Sequence, residues 1–182
     1  NTNIGIGTYS LSADTKGSGS VAVGDRALAT QNFTTATNSY NVAVGSSAGL
    51  SVTTGVENTI IGGLAGDAIT TGNENTALGK SAMSANTTAD NNTGVGHSAL
   101  AAYNHTTATN AYNVAVGYNA GAAVTTGVEN TIIGGLAGAA LTDADFNIAI
   151  GWGALNSDTL GSKSVAIGTA ALITQNFTTA TD

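Results

Sequence analysis

The 182-residue chain has no cysteine and no proline, and only 8% of its residues are charged. The lack of cysteine excludes a disulfide scaffold, a Cys-x-x-Cys redox site and cysteine-ligated zinc. Four Lys or Arg against eleven Asp or Glu leave a net charge of −7. Nothing in such a chain could neutralise a run of phosphates, so nucleic acid is excluded as a partner. Apolar runs such as Ala120-Gly121-Ala122-Ala123-Val124 are far too short to cross a bilayer. Asn1-Thr2-Asn3 shows no basic stretch leading into an apolar one, so no signal peptide is expected in this segment. Aromatics make up 5%. What the chain does have is small residues, among them 25 glycines. That composition fits either low-complexity disorder or a highly repetitive fold.

Internal spacing decides for the repeat. A motif Asn-x-small-aliphatic-Gly closes at Gly7, Gly24, Gly45, Gly62, Gly79, Gly96, Gly117, Gly134, Gly151 and Gly168. The steps are 17, 21, 17, 17, 17, 21, 17, 17 and 17, so the pattern returns every 72 residues. Residues 41–66 match residues 113–138 at 22 of 26 positions. Disorder would not hold such a register. The expected fold is all-β: a parallel β-helix or β-roll solenoid of ten coils, forming a single repetitive unit over residues 1–182.

Counting from the closing glycine assigns roles to the other positions. The residue one before it is aliphatic in every coil, and the residue three before it is always β-branched. That period of two is the signature of a strand. We expect these two positions to face the coil interior, and the residue two before the glycine to face away. Asn stands four before the glycine in eight coils, with Ser20 and Ser164 in the other two, which predicts an internal hydrogen-bonded stack. Thr stands eight after it in all seven 17-residue coils, suggesting a second strand with its own polar ladder. Four after the glycine, six coils have Leu or Met and four have Gly; only those four carry an aliphatic residue three positions later, namely Val52, Ile69, Val124 and Leu141. One large side chain per coil, supplied from either of two positions, implies a shared interior space.

The position two before the glycine is never polar, and includes Ile60 and Ile132. A strand apolar on both faces is expected to be buried on both, so the outer face is expected to meet another chain. The segment begins and ends inside the repeat without polar caps, as expected of a window onto a longer fibre. The motifs Asn-Val-Ala-Val-Gly (41–45 and 113–117), Ser-Val-Ala-Val-Gly (20–24), Ser-Val-Ala-Ile-Gly (164–168) and Asn-Ile-Ala-Ile-Gly (147–151) resemble the head repeats of trimeric autotransporter adhesins. Thr53-Thr54-Gly55-Val56-Glu57-Asn58 and its copy at 125–130 are similar to repeats of bacteriophage tail fibres and large bacterial surface proteins. The resemblance implies a left-handed parallel β-roll and a homotrimeric fibre on a cell surface or virion.

Candidate sites concentrate in the 21-residue coils, where four extra residues interrupt the pattern. Phe33, Tyr40, Tyr103, Tyr112 and Phe177 lie there, with His105 beside Tyr103. Aromatic faces stack on sugars and neighbouring Asn and Thr bond hydroxyls, so these six residues are expected to bind glycan or a partner, unless they pack the loop onto its own coil. Asn32, Asn104 and Asn176 occupy the same place in each insertion as Asn-x-Thr glycosylation sequons. No catalytic residue, metal ligand or cofactor site is expected: the acidic residues are spread along the chain, and His97 and His105 have no third partner. The function expected is a rigid spacer in an extracellular adhesin or tail fibre that also attaches to glycans or surfaces. A self-assembling extracellular filament is the alternative, and an ice-binding solenoid a more distant one.

Overall fold

The computed structural model describes residues 2–180 of the chain. Ten three-residue strands stack in sequence order into one parallel sheet: Ile4–Ile6, Val21–Val23, Val42–Val44, Thr59–Ile61, Thr76–Leu78, Thr93–Val95, Val114–Val116, Thr131–Ile133, Ile148–Ile150 and Val165–Ile167. Each strand pairs with its equivalent one coil on, so that Val42 faces Thr59 and Ala43 faces Ile60. The chain is a parallel β-solenoid. No helix occurs among the described residues.

The strand faces are the reverse of the expectation. The middle residue of the strand points inward: Ala22, Ala43, Ile60, Ala77, Ala115, Ile132 and Ala149 are fully buried. Its aliphatic neighbours point outward, and Ile6, Leu78, Ile133 and Ile167 are exposed large hydrophobics. The physical reason is space. A coil this narrow has room opposite its strand for Ala, while the bulk comes from the residues four or seven after the glycine. Where Gly49 and Gly66 vacate the first of these positions, Ile60 and the aliphatics Val52 and Ile69 fill it. A Cβ built on Gly49 would lie 3.0 Å from Ile60 Cδ1 and 3.3 Å from Val52 Cγ2, and one on Gly66 would lie 2.8 Å from Ile69 Cδ1. The shared interior space is therefore present.

The polar ladder four before the glycine runs through the core. Asn58 Oδ1 accepts the Asn75 backbone N–H at 3.0 Å, and Asn58 Nδ2 donates to the Gly72 carbonyl at 2.8 Å. The same pair of bonds recurs from Asn41 to Asn147, except that the Asn92 amide donates to the Asp90 carbonyl of its own coil at 3.0 Å. Buried polar groups are thus matched coil by coil. The Thr file also stacks, but as a bonded corner rather than a second strand: Thr53 and Thr70 donate through both backbone N–H and hydroxyl to the next Thr carbonyl. Among the described residues the only other strand pair is Gly17–Ser18 with Thr37–Asn38.

Closing glycines sit at φ between +126° and +141° in all ten coils. This region is essentially closed to residues with a side chain. At the first nine of them a Cβ would also run into the carbonyl of the next closing glycine, as at Gly79 against Gly96.

One acidic side chain is poorly housed. Asp67 Oδ1 is buried without a hydrogen-bond partner, and burial raises the carboxyl pKa above its ordinary value. A raised folded-state pKa favours folding only while the group is protonated, and that contribution is lost as pH rises through the ordinary carboxylate range. Asp67→Ala, which copies Ala139 of the second 72-residue unit, should therefore raise the melting temperature at pH 7. The gain is expected to be under about 1 kcal/mol, because the residue is only partly buried, and to shrink by pH 3. Thermal melts at the two pH values check this.

Candidate functional site

The inserted loops carry all six aromatic or imidazole candidates, and the solenoid register places them differently from one another. Tyr103 stands seven after its glycine, the position of Val52 and Val124, and is fully buried. Phe33, nine after its glycine, is buried as well. His105 occupies the same position as Phe33 one unit on; its Nε2 lies 2.8 Å from the Thr126 carbonyl, and its ring is 5.4 Å from that of Tyr103. Phe177, the third equivalent, is exposed on one side and lies against Gly161 on the other, where a Cβ would be 2.7 Å from its Cδ2. Tyr40 and Tyr112 are exposed, each held at positive φ five before the closing glycine. The Tyr40 ring covers the Gly19 backbone, with Cδ1 2.7 Å from where a Cβ would be.

Phe33 and Tyr103 are thus packing residues with no face to offer a sugar. Tyr103 and His105 come together; Tyr40 and Tyr112 stay a full 72-residue unit apart. The sequon asparagines are also in use. They replace Thr in the corner file, and Asn32, Asn104 and Asn176 accept hydroxyl bonds from Thr15, Thr87 and Thr159 at 2.8, 2.6 and 3.1 Å.

The Tyr103 hydroxyl is buried without a hydrogen-bond partner. Burial pushes its pKa well up; the nearby Asn113 side chain offsets part of this, and the Asp145 charge adds to it. Gln31, at the same position in the first insertion, instead bonds Asn41 and Asp14. Tyr103→Phe should therefore be tolerated and stabilise by about 1 kcal/mol, since it removes an unpaired buried hydroxyl. The pH sign follows from the raised pKa: the neutral phenol supports folding up to the ordinary tyrosine pKa, and that support is lost as pH rises beyond about 10. Melts between pH 8 and 11 should fall more steeply for the native chain than for Tyr103→Phe.

A second aromatic group lies outside the loops, one residue after the closing glycine. His97, Tyr118 and Trp152 are exposed there on one corner, with the His97 and Tyr118 rings stacked at 5.5 Å and 25°. Comparing the two 72-residue units position by position could have found it, because the same corner of the first unit holds Asp25, Ser46 and Lys80.

Among the described residues, no group of three His, Cys, Asp or Glu could hold a metal ion. No family model matches the chain, and no curated protein or solved structure matches it.

Proposed function

We propose that this chain is a rigid spacer segment of an extracellular structural fibre, as in bacterial adhesins and phage tail fibres, with left-handed coils and three copies around one axis. The carrying observation is the outward face of the ten-stranded sheet. An aliphatic side chain stands there one before the glycine in every coil, from Ile6 to Ile167, flanked by the β-branched row from Ile4 to Val165. Contiguous exposed apolar surface on this scale marks an interaction site. Because the row repeats at the coil pitch, copies of the chain can meet in register along the whole stack, and a closed ring of identical copies would cover all faces.

The reading assigns no enzymatic chemistry, no cofactor and no nucleic-acid partner, and places the fibre on a cell surface or virion. Attachment to glycans or surfaces through the exposed Tyr40, Tyr112 and Phe177 belongs to the same proposal. A self-assembling filament subunit would draw on the same apolar face. The ice-binding alternative has less support, since the file hydroxyls of Thr53, Thr70 and Thr142 donate to carbonyls inside the stack.

Analytical ultracentrifugation tests the reading. A discrete trimer, reduced to monomer by Val44→Lys with Val95→Lys and Ile133→Lys, is the expected result. Species that grow with concentration would favour the filament. A monomer at every concentration would overturn both.

A further inference from the structure

The outward sheet face has two flanks: the residue five before the closing glycine on one side, and the residue one after it on the other. Their contents are matched within a coil. Glu74 stands opposite Lys80, Tyr112 opposite Tyr118 and Phe146 opposite Trp152, and all six are exposed. Glu57 and Glu129 each stand opposite a glycine, Gly63 or Gly135, and no coil carries like charges on its two flanks. The matched residues do not meet inside one chain, because the three-residue strand lies between them. Among the described residues the one ion pair is Arg26 with Asp25, and the ring contacts are His97 with Tyr118 and Tyr103 with His105. The first flank is also strained. Tyr112 and Phe146 sit at φ +50° and +58°, where bulky residues are outliers, while Gly19 holds the equivalent place at +80°. Phe146 is 46% exposed, so packing within the chain does not offset that strain.

We propose that the flanks set the register in which copies of this chain assemble, with Glu74, Tyr112 and Phe146 of one copy meeting Lys80, Tyr118 and Trp152 of the next. The inference rests on the assembly proposed above and adds what fixes its alignment. Around an axis parallel to the stack, symmetry brings one flank of a copy to the other flank of its neighbour in the same coil. Over the six residues between the flanks the coil climbs only about 2 Å, roughly a third of its rise. The aliphatic rows cannot supply this register, because every coil presents an aliphatic residue there and one step looks like the next. A slip of one coil sets Phe146 against Thr169 or Gly135, and a slip of 72 residues sets Glu74 against Trp152 or Thr8. Only the unslipped register makes all three matches. The His97 ring already covers one side of Tyr118, which leaves the other for Tyr112. Tyr112 is then part of the assembly, and glycan attachment falls to Tyr40 and Phe177.

The single tryptophan of the chain reports the contact. As the chain is diluted through its dissociation, followed by sedimentation, Trp152 emission should move to longer wavelength. Phe146→Ala should weaken association about fivefold or more. A charge-reversal cycle reads the register itself. Glu74→Lys and Lys80→Glu should each weaken association about fivefold, and the double variant should recover most of the loss. Such recovery requires residue 74 of one copy to meet residue 80 of another, since the strand separates them within a chain. An associating chain whose emission stays constant on dilution would overturn the register and leave the fibre standing. A double variant as weak as both single losses combined would do the same. A chain that stays monomeric at every concentration would overturn both.

Discussion

Gly79→Ala should cost about 4 kcal/mol or more, enough to unfold much of a marginally stable chain. Two effects add. The backbone at φ +136° is open only to glycine, and the new methyl would meet the Gly96 carbonyl and, at 3.1 Å, the His97 nitrogen of the next coil. Those atoms are backbone and cannot step aside without breaking the coil pitch. Gly168→Ala isolates the first effect: φ is +126°, but nothing lies within 4 Å of the added carbon. It should cost only the conformational strain, about 1–3 kcal/mol. Denaturant melts of the two variants, side by side, measure the difference. Equal losses would mean that close stacking of the glycine corner contributes nothing.

Asn75→Ala should cost about 2–4 kcal/mol. The Asn75 amide donates to the Ala89 carbonyl at 2.9 Å and to Asn58 Oδ1 at 3.2 Å, and its oxygen accepts the Asn92 backbone N–H at 3.1 Å. Asn86 still reaches the Ala89 carbonyl after truncation, so the main orphan is the Asn92 N–H, buried in the stack. Asn75→Ser should lose about half as much, because Ser20 shows how the shorter side chain serves: its hydroxyl accepts the Asn41 N–H at 3.2 Å. Thermal melts of the pair check the ranking.

Coil number, coil length, the parallel stack and the Asn ladder were legible from spacing alone, because each of them is a statement about register. Which side of the strand is the inside was not. Alternation marks two faces and carries no label for the core. Residue size held the missing information: Ala at the middle of the strand fits a narrow coil whose bulk comes from Leu28, Ile69 or Leu100, all fully buried. The same register would have placed Tyr103 in the core, since it shares a file with Val52 and Val124; its position in an insertion suggested a protruding loop instead. Tyr40 and Tyr112 are exposed as expected. The His97–Tyr118–Trp152 corner was hidden for a different reason. Reading the repeat for what stays constant passes over the positions at which one unit departs from the other.

The backbone bonds between coils have a mechanical corollary. They run along the stack, joining residues 17 or 21 apart, as from Gly62 N–H to the Val44 carbonyl and from Gly45 N–H to the Val23 carbonyl. Tension along that axis therefore peels coils from an end one at a time instead of shearing the whole ladder. Each 17-residue coil that lets go replaces a rise of about 4.8 Å with up to about 58 Å of extended chain. Such a solenoid stores some ten times its own length in reserve. Under load it would lengthen in even steps, with slightly longer ones where Phe33 and Tyr103 pin the two complete 21-residue coils.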